Sequence, residues 1–354
     1  MKKSMIISLI CILVMVGVLG CGSSKEEKKD SQKSETEKET IGATQSDVPL
    51  KTVPATKVPE PTTVVTKAPE VTQAPATTVP ATKKPETNSK PVKLGSSWKV
   101  IEELKYTFPV YAMGFYNDKY AVTVGYGGEI HYTTDAGKNW PQATNKSYCR
   151  YGVDIVNDKV SYTCGNAGEV TKSEDGGKTY AQKAKFGDYV PDQCQMLSFC
   201  DENNGIIASY KRMAITNDGA TTWTELKVPA KILCIYMVTT TEFYFIGSDL
   251  NLYKTVDGGS NWETIPMNLP EKNYVINPLN FALYVDGDNA YTIFCIPNTT
   301  RVIKSYSTID NWATFKENTI PELPIFGKFY FNHDGKFLTI NNPTDSACTV
   351  LKRK

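Results

Sequence analysis

From about Ser97 onward, short apolar runs alternate with clusters of Gly, Asn and Asp. Residues 151–156, 160–164 and 169–173 form three such runs, cut by Asn157-Asp158 and by the stretch 165–168. Runs rich in β-branched and aromatic residues, bounded by turn formers, predict short β-strands. The same cadence stands before them at 113–115, 120–124 and 129–133. It returns at 196–199 with 206–209, at 232–237 with 243–246, and at 281–285 with 291–296. After Pro324 the pattern restarts at 328–331, turns at His333-Asp334-Gly335, and continues at 337–340 and 348–351. There the chain ends, one strand short of a full unit.

The units share a turn. Thr133-Thr134-Asp135-Ala136-Gly137-Lys138-Asn139-Trp140 is matched by 173–180, 216–223 and 255–262, in the form Ser/Thr-x-Asp-x-Gly-x-x-aromatic. Asp135, Asp175, Asp218 and Asp257 are spaced by 40, 43 and 39 residues. A period near 40 with several short strands per repeat predicts propeller blades. A fifth copy aligns 304–312 with 254–262 without a gap. Ser307 then replaces the Asp and Ile309 a Gly, so this blade is expected to lose the tight turn. Residues 97–101 resemble the strands that open at Asn139-Trp140 and Asn261-Trp262. Trp98, Trp140, Tyr180, Trp223, Trp262 and Trp312 then fill six equivalent positions. The expectation is an all-β, six-bladed propeller over 96–354. It is closed by its N-terminal strand against the C-terminal three; seven blades is the alternative.

The recurrent turn resembles the Asp box, or BNR repeat, of sialidases and sortilin-type receptors. An Asp side chain can accept amide hydrogens across a hairpin turn, and Gly permits positive φ. The four Asp are therefore read as structural, with no calcium loop, since too few oxygen ligands follow at the required spacing.

The N-terminal part is written differently. Lys2 and Lys3 precede an apolar stretch, 6–19, of signal-peptide length, and Val18-Leu19-Gly20 stands directly before Cys21. This resembles a bacterial lipobox, which implies a signal peptide over 1–20 and a diacylglycerol on Cys21; an ordinary secretory signal with a chance Cys is the alternative. Residues 21–95 are Lys/Glu/Ser-rich, then Thr/Pro-rich, too poor in apolar side chains to offset ordering entropy. They are expected to be a disordered linker. The implied location is a bacterial cell membrane, lipid-anchored and facing the extracytoplasmic side.

Composition narrows the function. A net charge of +1 gives no case for nucleic acid, which needs a basic surface. Two His and nine scattered Cys contain no spaced ligand set, so neither metal nor cofactor is expected. Seven Cys follow Cys21, an odd number, and no disulfide framework is predicted. Turns between the second and third strands share a face with the connections between blades, opposite the Asp turns. Candidate binding residues on that face are Tyr126, Arg150, Tyr189, Tyr210, Arg212 and Arg301, with Tyr148 nearby. Three of the four Arg fall there, and an Arg fork suits a carboxylate, sulfate or phosphate; solvated surface Arg is the alternative. Residues 188–192 offer carboxylates for acid/base work or simply a solvated acidic loop. Cys149, Cys194 and Cys234 either ring the channel mouth or serve as small buried residues. His131 and His333 are read as surface strand or turn residues.

Two family resemblances bear on activity. The unit 124–130, followed by 133–137, resembles the repeat of photosystem II assembly-factor-like propellers, which implies a non-enzymatic binding scaffold. Sialidases are similar in their boxes and blade number. Their chemistry needs an Arg triad, a Tyr–Glu nucleophile pair and an Asp acid, with a Phe-Arg-Ile-Pro motif. The nearest stretch, Thr107-Phe108-Pro109-Val110, has no Arg, so no catalytic residue is carried over. The expectation is a binding module for a protein or glycan on the face opposite the Asp turns. The alternative is a sialidase-like glycoside hydrolase or lyase acting on extracellular polysaccharide.

Overall fold

The computed structural model describes residues 97–354, apart from 145–148, 188–192, 272, 288, 301, 324–326, 343 and 345. The segment 1–20, Cys21 and the linker 21–95 lie outside the described residues.

The chain is a six-bladed β-propeller. The first strand, β1 (Trp98–Lys105), belongs to the last blade. Blade 1 is β2 (Val110–Phe115), β3 (Ala121–Gly125) and β4 (Ile130–Thr133). Blade 2 is β5 (Arg150–Ile155), β6 (Ser161–Gly165), β7 (Val170–Ser173) and β8 (Ala181–Gln182). Blade 3 is β9 (Met196–Phe199), β10 (Gly205–Ala208), β11 (Met213–Thr216) and β12 (Thr224–Leu226). Blade 4 is β13 (Ile232–Met237), β14 (Phe243–Gly247), β15 (Asn251–Thr255) and β16 (Glu263–Pro266). Blade 5 is β17 (Ala282–Val285), β18 (Tyr291–Cys295), β19 (Lys304–Thr308) and β20 (Lys316–Glu317). Blade 6 is β21 (Lys328–Phe331), β22 (Phe337–Asn342) and β23 (Ala347–Arg353), completed by β1.

The innermost strands β2, β5, β9, β13, β17 and β21 each touch the next, and β21 touches β2, so the ring closes. Hydrogen bonds sew neighbouring blades together near the axis. Phe199 N donates to Asp154 Oδ2 at 2.6 Å, Met237 N to Ser198 Oγ at 2.9 Å, and Thr339 Oγ1 to the Met113 carbonyl at 2.7 Å. Second strands such as β6, β14 and β18 are buried along their whole length, because each blade is packed on both faces. The core is therefore distributed between blades. One cluster joins Leu233, Tyr244 and Ile246 of blade 4 to Leu283, Ile293 and Tyr306 of blade 5. The rival count of seven sheets does not form among the described residues.

Closure follows the expected route. β1 pairs antiparallel with β23 from Trp98↔Arg353 to Lys105↔Ala347, with an irregularity between Val100 and Glu102. Trp98 is 3% exposed and meets Phe294 of blade 5 edge-on at 5.2 Å. The outermost strand thus keys the last blade to its neighbour and removes the free edge of β23.

Five turns that follow third strands share one hydrogen-bond plan. In the second, the Ser173 hydroxyl donates to Asp175 Oδ1 at 2.9 Å and accepts from Gly177 N at 2.9 Å. Asp175 Oδ1 accepts from Thr179 N at 2.9 Å, and its Oδ2 from Thr179 Oγ1 at 2.6 Å. Asp135, Asp218 and Asp257 repeat these contacts.

The fifth turn corrects the gapless alignment of blade 5. Thr308 donates to Asp310 at 2.7 Å, Trp312 N to Thr308 Oγ1 at 3.1 Å, and Thr314 N to Asp310 Oδ1 at 2.9 Å. The turn is kept, three residues later than expected. Trp312 stands in the glycine position at φ 65, and Phe315 takes the aromatic place. Trp312 is 0% exposed, so burial of the indole offsets a left-handed backbone that costs a non-glycine residue roughly 1–2 kcal/mol. In blade 1 the expected fourth strand shrinks to one bridge, His131↔Gln142. Pro141 has no N–H to extend that ladder and contributes only its carbonyl, to Tyr132 N.

Candidate functional site

Each first strand runs outward from the connection that reaches it, and its N-terminus lies beside the turn after the second strand. Arg150 faces Gly165, Val110 faces Gly125, and Lys328 faces Asn341. Two of those turns are short 3-10 segments, Tyr126–Gly128 and Asn166–Gly168. Gly168 is required there: at φ +65, a Cβ would sit 2.0 Å from the Phe186 carbonyl oxygen. This end of the ring therefore lies opposite the five Asp turns.

At this mouth, blades 1, 2 and 6 bring together Tyr111, Tyr151 and Lys328. The tyrosine rings are 5.1 Å apart, and the Lys328 ammonium lies 5.6 Å from one centroid and 5.3 Å from the other. Tyr151 is anchored by its hydroxyl to Asn166 Oδ1 at 2.9 Å, and its carbonyl accepts from the Tyr330 hydroxyl. Burial disfavours the charged amine and lowers its pKa to about 8. No carboxylate pairs with Lys328 among the described residues. Ring faces stabilise a cation electrostatically but leave its hydrogen-bond donors unanswered. The mouth thus presents a positioned, half-buried cation on a rigid aromatic platform.

The sequence candidates distribute unevenly around it. Tyr126 is 49% exposed, on the short turn that packs against β5. Arg150 is 0% exposed and faces Glu169 at 3.5 Å, so its guanidinium is not offered to solvent. Tyr210 is half-buried, with the Lys231 ammonium 5.6 Å from its ring. Arg212 forks onto Glu225 at 2.8 Å through Nε and 2.8 Å through Nη2, and lies over Phe186. Both described arginines of the expected anion site already face a carboxylate of their own blade. Tyr148, Tyr189, Arg301 and the loop 188–192 lie outside the described residues. Cys149, Cys194 and Cys234 are buried and unbridged. Burial raises the pKa of Cys194 and Cys234, which keeps them thiols.

Sequence reasoning passed over Lys328. The available signal was a lysine opening an inner strand whose next three residues, Phe329-Tyr330-Phe331, are aromatic.

The opposite end of the axis carries a second polar group. Asp154 Oδ1 lies 2.9 Å from His333 Nε2, and the Tyr236 hydroxyl donates to the His333 carbonyl at 2.9 Å. Between the two ends is a cavity of about 60 Å3, lined in part by Ser198, Leu283, Tyr330 and His333. His333, read as a surface strand or turn residue, lies in the turn after β21 with its side chain 30% exposed, and it also lines this cavity. Burial opposes its charge, but the Asp154 carboxylate outweighs it and raises the pKa. No group of three or more His, Cys, Asp or Glu among the described residues is placed to hold a metal ion.

Residues 95–217 match the family described as photosynthesis system II assembly factor YCF48. The solved structure of YCF48 bound to D1 peptide is 12% identical, covers 73% of this chain and 97% of its own, and has a TM-score of 0.49. YCF48 from Cyanidioschyzon merolae is 13% identical, with coverage of 73% and 99% and a TM-score of 0.47. U3-55K is 9% identical, with coverage of 73% and 100% and a TM-score of 0.52, a likeness of fold alone. No curated protein matches the sequence. The chain is a BNR-type propeller that resembles the photosystem II assembly factor in part of its length.

Proposed function

We propose that this chain is a non-catalytic binding module that captures an acidic segment of a partner protein at the Tyr111–Tyr151–Lys328 mouth. The observation that carries the reading is the Lys328 ammonium, fixed over two tyrosine rings with no carboxylate of its own among the described residues. A partner carboxylate would complete a charge-assisted hydrogen bond there, and exposed Tyr126 would add apolar contact. The family match over 95–217 supports a scaffold rather than an enzyme.

The address belongs to the same proposal. Lys2, Lys3, the apolar stretch 6–19 and Gly20-Cys21 support a lipid-anchored protein of a bacterial membrane, with 21–95 as the tether that presents the propeller on the extracytoplasmic side. Acyl chains contribute about 0.8 kcal/mol per buried methylene, so a multiply acylated Cys21 would hold the chain at the bilayer.

A panel of acidic, neutral and basic tyrosine-containing peptides, read by fluorescence polarisation, tests the mouth. Acidic peptides should bind best, and Lys328→Gln should weaken them about tenfold. Binding should fall as pH rises through about 8, where the amine deprotonates, and Lys328→Arg should move that fall to higher pH. Equal affinity for acidic and basic peptides, or no change in Lys328→Gln, would overturn the reading. Separately, Cys21→Ala should abolish acyl labelling and release the chain from the membrane fraction. A Cys21→Ala chain that stays labelled would contradict the anchor.

A further inference from the structure

Two seams between blades are closed by an indole. Trp223 Nε1 of blade 3 donates to the Ala184 carbonyl at 3.1 Å, and Trp262 Nε1 of blade 4 to the Lys227 carbonyl at 3.1 Å. Each acceptor lies four residues beyond the aromatic residue of the preceding blade, Tyr180 or Trp223. At the closure seam, where blade 6 meets blade 1, the indole in the same place is Trp140. By the same count its acceptor would be the Glu102 carbonyl, four residues beyond Trp98. That bond is absent: Trp140 Nε1 is buried and has no partner.

The strand explains the difference. Pairing of β1 with β23 jumps from Val100↔Leu351 to Glu102↔Val350, so Ile101 is an extra, unpaired residue and is 40% exposed. A bulge bends its strand locally. At this seam a pocket of about 540 Å3 opens between β1 and the first Asp turn. Its apolar wall includes Leu104, Phe115, Trp140 and Phe337. Its rim carries Lys99, Lys119 and Lys138, all exposed and without an ion-pair partner among the described residues. Lys352 also lines it, already paired to Asp118 at 2.8 Å, and Glu102 is the remaining rim carboxylate.

We infer that the closure seam is a binding pocket for an amphiphilic organic anion, an apolar ring or acyl body carrying one sulfonate, carboxylate or phosphate. The volume falls in the range of small-molecule sites. The apolar wall takes the body and the lysine rim the charge. Neither the lysine rim nor the apolar wall belongs to the Lys328 mouth, so this site stands or falls independently of the proposed partner binding.

Anilinonaphthalene sulfonate and its uncharged analogue N-phenyl-1-naphthylamine are suitable probes, titrated by fluorescence into the full chain. The sulfonate should show one saturable site that the Lys99→Gln/Lys138→Gln chain lacks. At that site it should bind about tenfold tighter than the uncharged probe. Equal affinity for the two probes, or sulfonate binding unchanged in the Lys99→Gln/Lys138→Gln chain, would overturn the inference. So would the absence of a saturable difference between the native and double-glutamine chains.

Discussion

A hydroxyl that donates to a carboxylate two residues on, and accepts from an amide four residues on, ties both ends of a tight turn to one side chain. Asp175 then takes the remaining amide and hydroxyl donors. Asp175→Ala should lower stability by about 1–2 kcal/mol, the usual cost of losing a capping acceptor, measured by urea unfolding. These hydrogen bonds outweigh the desolvation that opposes ionisation and hold the Asp175 pKa below the usual carboxylate value; Asp135, Asp218, Asp257 and Asp310 are lowered likewise, with Asn139, Thr222, Asn261 and Thr314 as their leading partners. A depressed carboxylate contributes stability above its unfolded pKa, near 4, and loses it as pH falls through the folded value. Acid titration should therefore reveal cooperative loss of stability below about pH 4, less steep in Asp175→Ala. His333 works with the opposite sign. Its raised pKa means that its pairing with Asp154 contributes fully below about pH 6.5 and fades as pH rises through the folded value. Stability should fall by roughly 0.5–1 kcal/mol across that range, and Asp154→Asn should flatten the slope. An unchanged slope would sever the pair from stability.

At the scale of elements, legibility followed burial and local chemistry. Inner strands such as β9, β13 and β21 were placed to the residue by their apolar runs, and second strands such as β6, β10 and β14 to within one residue. The two-residue strands β8 and β20 are exposed throughout, so no hydrophobic pattern marks them. The fifth turn was misplaced because Trp312, the residue that anchored the alignment, occupies a glycine position that sequence rules assign away from bulky residues. Arg150 could not be told from a surface arginine, since its burial depends on Glu169 across the blade. The Lys328 mouth needs three blades to meet, with Tyr111 and Lys328 more than two hundred residues apart. No local pattern encodes that juxtaposition. Trp312→Ala should cost about 3–5 kcal/mol despite relieving some backbone strain, because a fully buried indole leaves a large cavity. A stability change below 1 kcal/mol would show that the blade 5 core collapses around the loss.

For the whole molecule, closure by β1 makes the two ends of the ring different surfaces on one rigid frame. One end gathers the five Asp turns and the His333–Asp154 pair. The other gathers the connections between blades, Tyr126 and the lysine on its tyrosine platform. Fold alone assigns no activity to such a ring. The assignment rests on which end is used. A photo-crosslinking benzophenone residue placed at Tyr126, 49% exposed, or at Val256, 61% exposed in an Asp turn, tests that choice in cells. The account predicts a discrete protein adduct from position 126 that disappears with Lys328→Glu. An adduct from position 256 with none from 126, or a 126 adduct indifferent to Lys328→Glu, would contradict it.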